Sequence, residues 1–260
     1  MNMDAPGSDR AAHPQRNILG TDVTVIGRDA AIAALGRDIA AGRFTRVTFL
    51  NAHNANIAFA DARFRNVLPG FLVLADGVGV DIASKMLYGE PFPDNLNGTD
   101  FVPAFLKRHT AKLTVALLGA QRGNALVAAE RLSEQAPQHE FIFLHDGYFG
   151  AQEETDILAR LKEMRPDVLL VAMGVPRQEL WIADKIGTEH CTMPIAVGAL
   201  LDFLSGAVPR APLWMRRLRL EWLFRLGLEP RRLWRRYVVG NPLFLLRVLG
   251  QKYRVKRGGP

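Results

Sequence analysis

The sequence predicts an α/β fold: a doubly wound, mostly parallel sheet with a basic helical C-terminal appendage. Three observations predict it. Short β-branched runs alternate with longer amphipathic segments, most of the runs are apolar on both faces, and Lys and Arg concentrate at the C-terminal end. Strands apolar on both faces are buried between helical layers, as in a parallel sheet with crossover helices. With 260 residues, 48% hydrophobic and 23% charged, the chain can bury its own core and is not a disordered, collagenous or disulfide-scaffold sequence.

Residues 1–17 are polar, hold Pro6 and Pro14 and show no periodicity, so a disordered N-terminal tail is expected there. Residues 18–209 form the expected α/β catalytic domain. Within it Val23–Ile26, Arg46–Leu50, Phe71–Leu74, Leu113–Leu118, Phe141–Leu144, Val168–Ala172 and Pro194–Val197 read as strands. Asn54–Leu68, Asn124–Gln135, Ala151–Met164 and Gln178–Ile186 read as helices by length and period. The alternation gives a Rossmann-like sheet, in which ligands bind at the carboxyl ends of the strands.

Residues 210–260 form the basic, Trp-rich appendage. They hold 14 Lys or Arg against Glu221 and Glu229, a net of +12, which leaves residues 1–209 with 19 bases and 24 acids, a net of −5. Trp214, Trp222 and Trp234 are interleaved there with Arg216, Arg217, Arg219, Arg225, Arg231, Arg232, Arg235 and Arg236. That mixture suits a helix in a bilayer interface, a grip on phosphate or nucleic acid, or a solvated basic face packed by tryptophans. Composition leaves all three open. A single cysteine, Cys191, forms no internal bridge, and no apolar run approaches the roughly 18 to 20 residues of a membrane span. The N-terminus lacks a signal-peptide apolar core, so a cytoplasmic location is expected.

The strand ends carry the candidate chemistry. After FLVLA comes ADGVGVD, where Asp76 ends the strand and Gly77 and Gly79 open the turn. A carboxylate there serves as a general base toward a hydroxyl, or as a helix N-cap beside turn glycines. The dinucleotide fingerprint fails, since position 82 is Ile. Gly119, Arg122 and Gly123 make a turn into a helix that suits a phosphate or ribose. Gly174 ends another strand, followed by Pro176, Arg177, Gln178 and Glu179. The Gln178 amide suits a base or sugar, or plain surface, and Glu179 suits the helix dipole. Asp202 reads as a structural cap before a catalytic group, and Asn51, His53 and Asn54 form a polar cluster fit for a sugar or diphosphate, or for capping.

Absences narrow the chemistry. The sequence holds no GxxxxGK[ST], GxSxG, HExxH or DxD, and its six histidines lack ligand spacing. Neither a cofactor nor a resident metal is expected. A transferase without a metal needs cations elsewhere to steady a diphosphate leaving group, and the arginine-rich tail has them.

Several strings, in order, resemble one family, the WecG/TagA/CpsF glycosyltransferases (glycosyltransferase family 26): FLNAHNANIA, VLADGVGVDIAS, GEPFPDNLNGTDFVPAFL, LLGAQRGNA, HDGYFG, RPDVLLVAMGVPRQELWI, VGALLDFLSGAVPRAPLWM and LEWLFRLGLEPRRLWRRY. The MGxPxQE piece and the RAPxW and EWLxRLxxEPxR pieces are the most diagnostic. The resemblance implies inverting transfer of a hexose-type sugar from a UDP-sugar to a polyprenyl-diphosphate-linked saccharide at the cytoplasmic membrane face, in surface polysaccharide synthesis. It implies Asp76 as the base, Asn51 at the bottom of the same crevice, and glycine turns and Gln178 near the donor nucleotide. It also implies a mobile helical appendage that meets the membrane and closes over the site with Arg225, Arg232 and Arg235. Their spacings of 7 and 10 keep all three on one face of an unbroken helix, within about 80°, although Gly227 and Pro230 interrupt it. Phe49 stands where many members have Thr, with Thr48 one position earlier. Members transfer N-acetylmannosamine, N-acetylmannosaminuronate, glucose or other hexoses. No nucleic-acid partner is expected, and a homo-oligomer is compatible with the sequence. The competing readings are a nicotinamide oxidoreductase, against which the broken fingerprint stands, and a basic-tailed lipid- or nucleic-acid-binding protein without catalysis.

Overall fold

The computed structural model describes residues 13–212, 214, 215 and 220–256. Most of the expected tail, residues 1–12, and Arg216, Arg217 and Arg219 lie outside the described residues. The described chain opens on an antiparallel hairpin, β1 (Gln15–Ile18) and β2 (Thr21–Thr24), separate from the main sheet. Two features of the expected order are therefore corrected. The tail does not extend to residue 17, and the strand expected at Val23–Ile26 ends at Thr24 and belongs to this hairpin. Leu19 and Gly20 make its two-residue turn with φ of 52° and 85°, the doubly positive turn that matches the twist of paired strands. Arg16 fastens the hairpin to the body, donating to Ser84 Oγ at 2.6 Å, Pro91 O at 2.8 Å and the Glu90 carboxylate.

The main sheet has six strands in the order β4-β3-β8-β7-β5-β6, all neighbours parallel. They are β3 (Arg46–Leu50), β4 (Phe71–Ala75), β5 (Thr114–Gly119), β6 (Glu140–His145), β7 (Val168–Ala172) and β8 (Met193–Ala196). β7 is buried along its whole length. Val168, Leu170 and Ala172 join the core on one face, while Leu169 and Val171 join the core on the other. This period of two is what a doubly covered strand requires. The parallel, doubly wound, Rossmann-like fold is as the sequence predicts.

The first face is covered by α1 (Arg28–Ala40), α5 (Gly98–Arg108), α6 (Arg122–Gln135) and α9 (Leu200–Ser205), whose Leu35, Phe105, Leu132 and Leu201 are buried there. The second is covered by α2 (Ala52–Ala60), α4 (Val78–Tyr88), α7 (Ala151–Met164) and α8 (Arg177–Lys185), through Ala55, Val80, Leu161 and Ile182. A single helix over Asn54–Leu68 does not form. Asp61 ends α2, its carboxylate accepts from the backbone N–H groups of Arg63 and Phe64, and α3 (Ala62–Val67) starts anew. An Asp side chain that caps its own downstream turn breaks a helix this way.

The C-terminal region contains α10 (Glu221–Leu228), α11 (Pro230–Trp234), a π-helical turn (Arg235–Val239) and α12 (Gly240–Lys256). α12 is not a detached appendage. Its Phe244 and Val248 are fully buried in the second core beside α2 and α4. Gln251 donates to Asn17 O and accepts from Leu19 N, both at 2.9 Å, so the last helix also holds the hairpin.

Candidate active site

Sheet topology sets where a site forms. β3 and β4 run outward on one side and β5 and β6 on the other, with β7 and β8 between, so the loops at their carboxyl ends part and leave a crevice. Two cavities of about 450 and 510 Å³ fill it. They share one wall, made by Asn51, His53, Asp76, Thr99, Phe203, Arg225 and Arg236. The first opens over the ends of β7 and β8, at Gly174, Gln178 and Gly198. The second opens over α4 and has an apolar side of Ile82, Trp222, Phe244 and Leu245.

Asp76 follows β4, and its backbone N–H donates to Leu50 O at 2.9 Å, which holds it at the sheet's end. It does not cap α4. The N-cap is Gly77, without a side-chain cap bond, and at φ 88° an L side chain would be strained there. The Asp76 carboxylate instead accepts from Asn51 Nδ2 at 3.0 Å. Burial pushes the carboxyl up, while the Asn51 bond and the nearby Arg236 and Arg225 guanidinium groups pull it back down. Asn51 does two jobs, since its Oδ1 also caps α2 by accepting from Asn54 N at 3.0 Å. The polar-cluster reading and the capping reading of this run therefore hold together.

The expected glycines divide. Gly77 lines the second cavity and Gly174 the first, and a Cβ on either would meet nothing within 4 Å. Gly79 lines the second cavity, yet its added Cβ would come 2.9 Å from Ala52 Cβ, so it also sets the closeness of α4 to α2. Gly119 lines neither cavity. Its φ is 121°, and a Cβ would come 2.3 Å from Ala172 O, so a glycine is needed here for the close approach of β5 to β7. Gly123 and Arg122 also lie outside both linings, with the Arg122 guanidinium over the Phe143 ring.

Gln178 faces the first cavity but is only 2% exposed. Its Nε2 donates to Glu179 Oε1 at 3.0 Å, and its Oε1 accepts from Gly198 N at 3.1 Å. Glu179, 1% exposed, also accepts from Thr48 Oγ1 at 2.9 Å. It does more than answer a helix dipole, because it anchors the amide that holds the Gly198 turn. Burial pushes its carboxyl up, and its Oε2 has no hydrogen-bond partner among the described residues. Thr48 is thus occupied beneath the floor, while Phe49 packs edge-on against Phe101 and lines the first cavity. Asp202 also lines that cavity, accepting from Asn124 Nδ2 at 2.8 Å and not acting as the cap of α9.

Arginines supply the positive charge. Arg225 and Arg236 line both cavities and Arg232 the first. Arg235 lines neither, being exposed with its guanidinium over the Trp234 ring. Of the C-terminal arginines, the third that lines the cavities is Arg236, whereas the family resemblance implies Arg235. The backbone leaves the helix at Glu229, with φ −131° and ψ 60° between α10 and α11, so the phase of an unbroken α-helix from Arg225 does not apply. Arg236 is half-buried, and its Nε has no hydrogen-bond partner among the described residues. Arg225 lies over the Phe203 ring, and Arg232 pairs with Glu229 at 2.6 Å. No group of three or more His, Cys, Asp or Glu side chains placed to hold a metal ion occurs among the described residues.

A half-buried carboxylate at the end of a parallel strand, with guanidinium groups nearby where two cavities join, is an arrangement that can take a proton and hold an anion. Residues 16–258 match the sequence model of the Glycosyl transferase WecG/TagA/CpsF family, and the chain belongs to that family. It is similar to the N-acetylglucosaminyldiphosphoundecaprenol N-acetyl-beta-D-mannosaminyltransferase of Staphylococcus aureus strain NCTC 8325, with 32% identity over 186 residues, 71% of each chain. The protein of the same name from strain MRSA252 is 31% identical over the same shares. The chain is accordingly a glycosyltransferase.

Proposed function

We propose that the protein transfers a hexose-type sugar, with inversion, from a UDP-sugar to a polyprenyl-diphosphate-linked saccharide. The observation that carries this reading is the position of Asp76 on the wall shared by the two cavities. One substrate in each cavity brings the acceptor hydroxyl and the donor anomeric carbon together at that carboxylate. The donor belongs in the first cavity, where Gly174 leaves the backbone open and Arg232 adds to Arg225 and Arg236. The acceptor belongs in the second, whose Ile82, Trp222 and Leu245 suit the start of a lipid chain.

The Asp76 carboxylate takes the proton of the acceptor hydroxyl as that oxygen forms its bond to the anomeric carbon. The bond from that carbon to the donor diphosphate breaks on the opposite face, and UDP leaves. Asn51 orients the carboxylate through the 3.0 Å bond. Arg225, Arg232 and Arg236 balance the charge that grows on the diphosphate. The relatives' printed names make N-acetylmannosamine the first donor sugar to test and a GlcNAc-diphospholipid the first acceptor.

Contact with a membrane surface belongs to the same reading. No helix among the described residues is long and apolar enough to cross a membrane. Leu243, Leu246, Leu249 and Tyr253 on α12, with Val238, Val239 and Trp234 before it, are exposed next to Arg231 and Arg235. That is the composition of an interfacial helix. Sedimentation with anionic vesicles tests it: wild type is expected to co-sediment, and Leu246→Glu with Trp234→Glu to remain in the supernatant. Equal partition of both proteins would contradict the membrane contact.

A further inference from the structure

His53 lies in the first turn of α2, two residues past Asn51, and lines both cavities. Its neighbours in the run are committed to the fold: Asn51 to Asp76 and the α2 cap, Asn54 through Nδ2 to Phe49 O at 2.9 Å. His53 is not. Its ring is half-buried, and neither ring nitrogen has a hydrogen-bond partner among the described residues. A half-buried imidazole without a protein partner, on the wall of a cavity, is placed for a ligand.

We propose that His53 reads a sugar hydroxyl at the seam between the two cavities, through a hydrogen bond at one of its ring nitrogens. The chemistry of the wall selects a hydroxyl over a phosphate. Phosphate oxygens have Arg225, Arg232 and Arg236 within the same crevice. Burial, with Arg236 nearby, pushes the His53 imidazole down to about 4, so at neutral pH it adds no positive charge. An uncharged imidazole has one N–H donor and one bare-nitrogen acceptor, which point apart across the ring, and a hydroxyl pairs with either. A site that hydrogen-bonds a hydroxyl discriminates against sugars that lack it, because the half-buried imidazole is then left unpaired.

The inference rests on the transfer reading above, and its test separates the two. Binding of UDP alone and of UDP-hexoses is measured calorimetrically for wild type, His53→Ala and His53→Gln, alongside transfer kinetics with each substrate varied and melting temperatures. His53→Ala is expected to bind UDP within about twofold of wild type and to melt as wild type does, yet to lose about tenfold in kcat/KM for one sugar substrate. His53→Gln, whose carboxamide also has a donor and an acceptor, is expected to recover most of that loss. The substrate whose KM moves identifies whether the donor or the acceptor sugar is read. Equal losses for UDP and the UDP-hexose, unchanged kinetics, or no recovery with Gln would overturn the role of His53. A wild type that neither binds nor uses any UDP-hexose would overturn the transfer reading and this inference with it.

Discussion

Asp76 is held between opposing influences, burial raising its carboxyl and Asn51, Arg236 and Arg225 lowering it, and burial leads. A base must be ionised to accept a proton, so kcat/KM is expected to climb with pH through a value above the usual carboxylate range and to flatten beyond it. Asp76→Asn removes that limb and lowers turnover by about a thousandfold or more. The same shift makes a stability prediction. A carboxyl raised in the folded state contributes stability below its unfolded value, and that contribution is lost as pH rises through the folded value. Asp76→Asn, which cannot ionise, is therefore expected to melt no lower than wild type at pH 7; a large fall in melting temperature would show that the carboxylate is structural. Glu179 obeys a different logic. Glu179→Gln keeps an oxygen for Thr48 and Gln178 and is expected to behave as wild type, whereas Glu179→Ala frees the Gln178 amide and costs roughly tenfold in donor kcat/KM by steady-state assay. Asn51 and Asp76 were legible as residues because each directly follows a run that reads as a strand. Gln178 was legible as a site residue but not in its partners, since spacing alone does not show that its amide is shared between Glu179 and Gly198.

Elements legible in the sequence are those whose period was unambiguous. Arg46–Leu50, Val168–Ala172 and Ala151–Met164 have the predicted limits, because buried parallel strands and a 14-residue amphipathic helix leave long signals. The Gln15–Ile18 strand was not legible, being four residues of which three are charged or amide. Arg236 rather than Arg235 lines the cavities, and the break at Glu229 that sets the phase of α11 is marked in the sequence by Gly227 and Pro230 without showing which arginine then turns inward. Arg236→Ala is expected to cut kcat/KM by about a hundredfold or more while Arg235→Ala stays within about threefold, read in parallel transfer assays. Gly119→Ala brings a Cβ against Ala172 O at the β5–β7 seam and is expected to cost about 2–4 kcal/mol in denaturant unfolding.

At the scale of the whole molecule, charge and packing divide the C-terminal region in a way that composition hid. The +12 net charge marked residues 210–260 as one appendage, yet the structure splits them. α10, α11 and the π-helical turn carry the cations of the site, while α12 completes the second core with Phe244 and Val248. Charge is summed along sequence and burial is not, so the apolar stripe of α12 was masked by its basic neighbours. Truncation before residue 240 is expected to lower the melting temperature by several degrees, by uncovering α2 and α4, whereas Arg225→Ala with Arg236→Ala removes transfer from a protein that melts normally. The measurement that tests the central claim most directly is transfer from a panel of radiolabelled UDP-sugars to a short-chain polyprenyl-diphosphate monosaccharide, by wild type and Asp76→Asn, with and without chelator. The two-cavity site with Asp76 on its shared wall predicts one strong donor, whose transfer survives chelator and is lost in Asp76→Asn. Transfer by Asp76→Asn at the wild-type rate would contradict it.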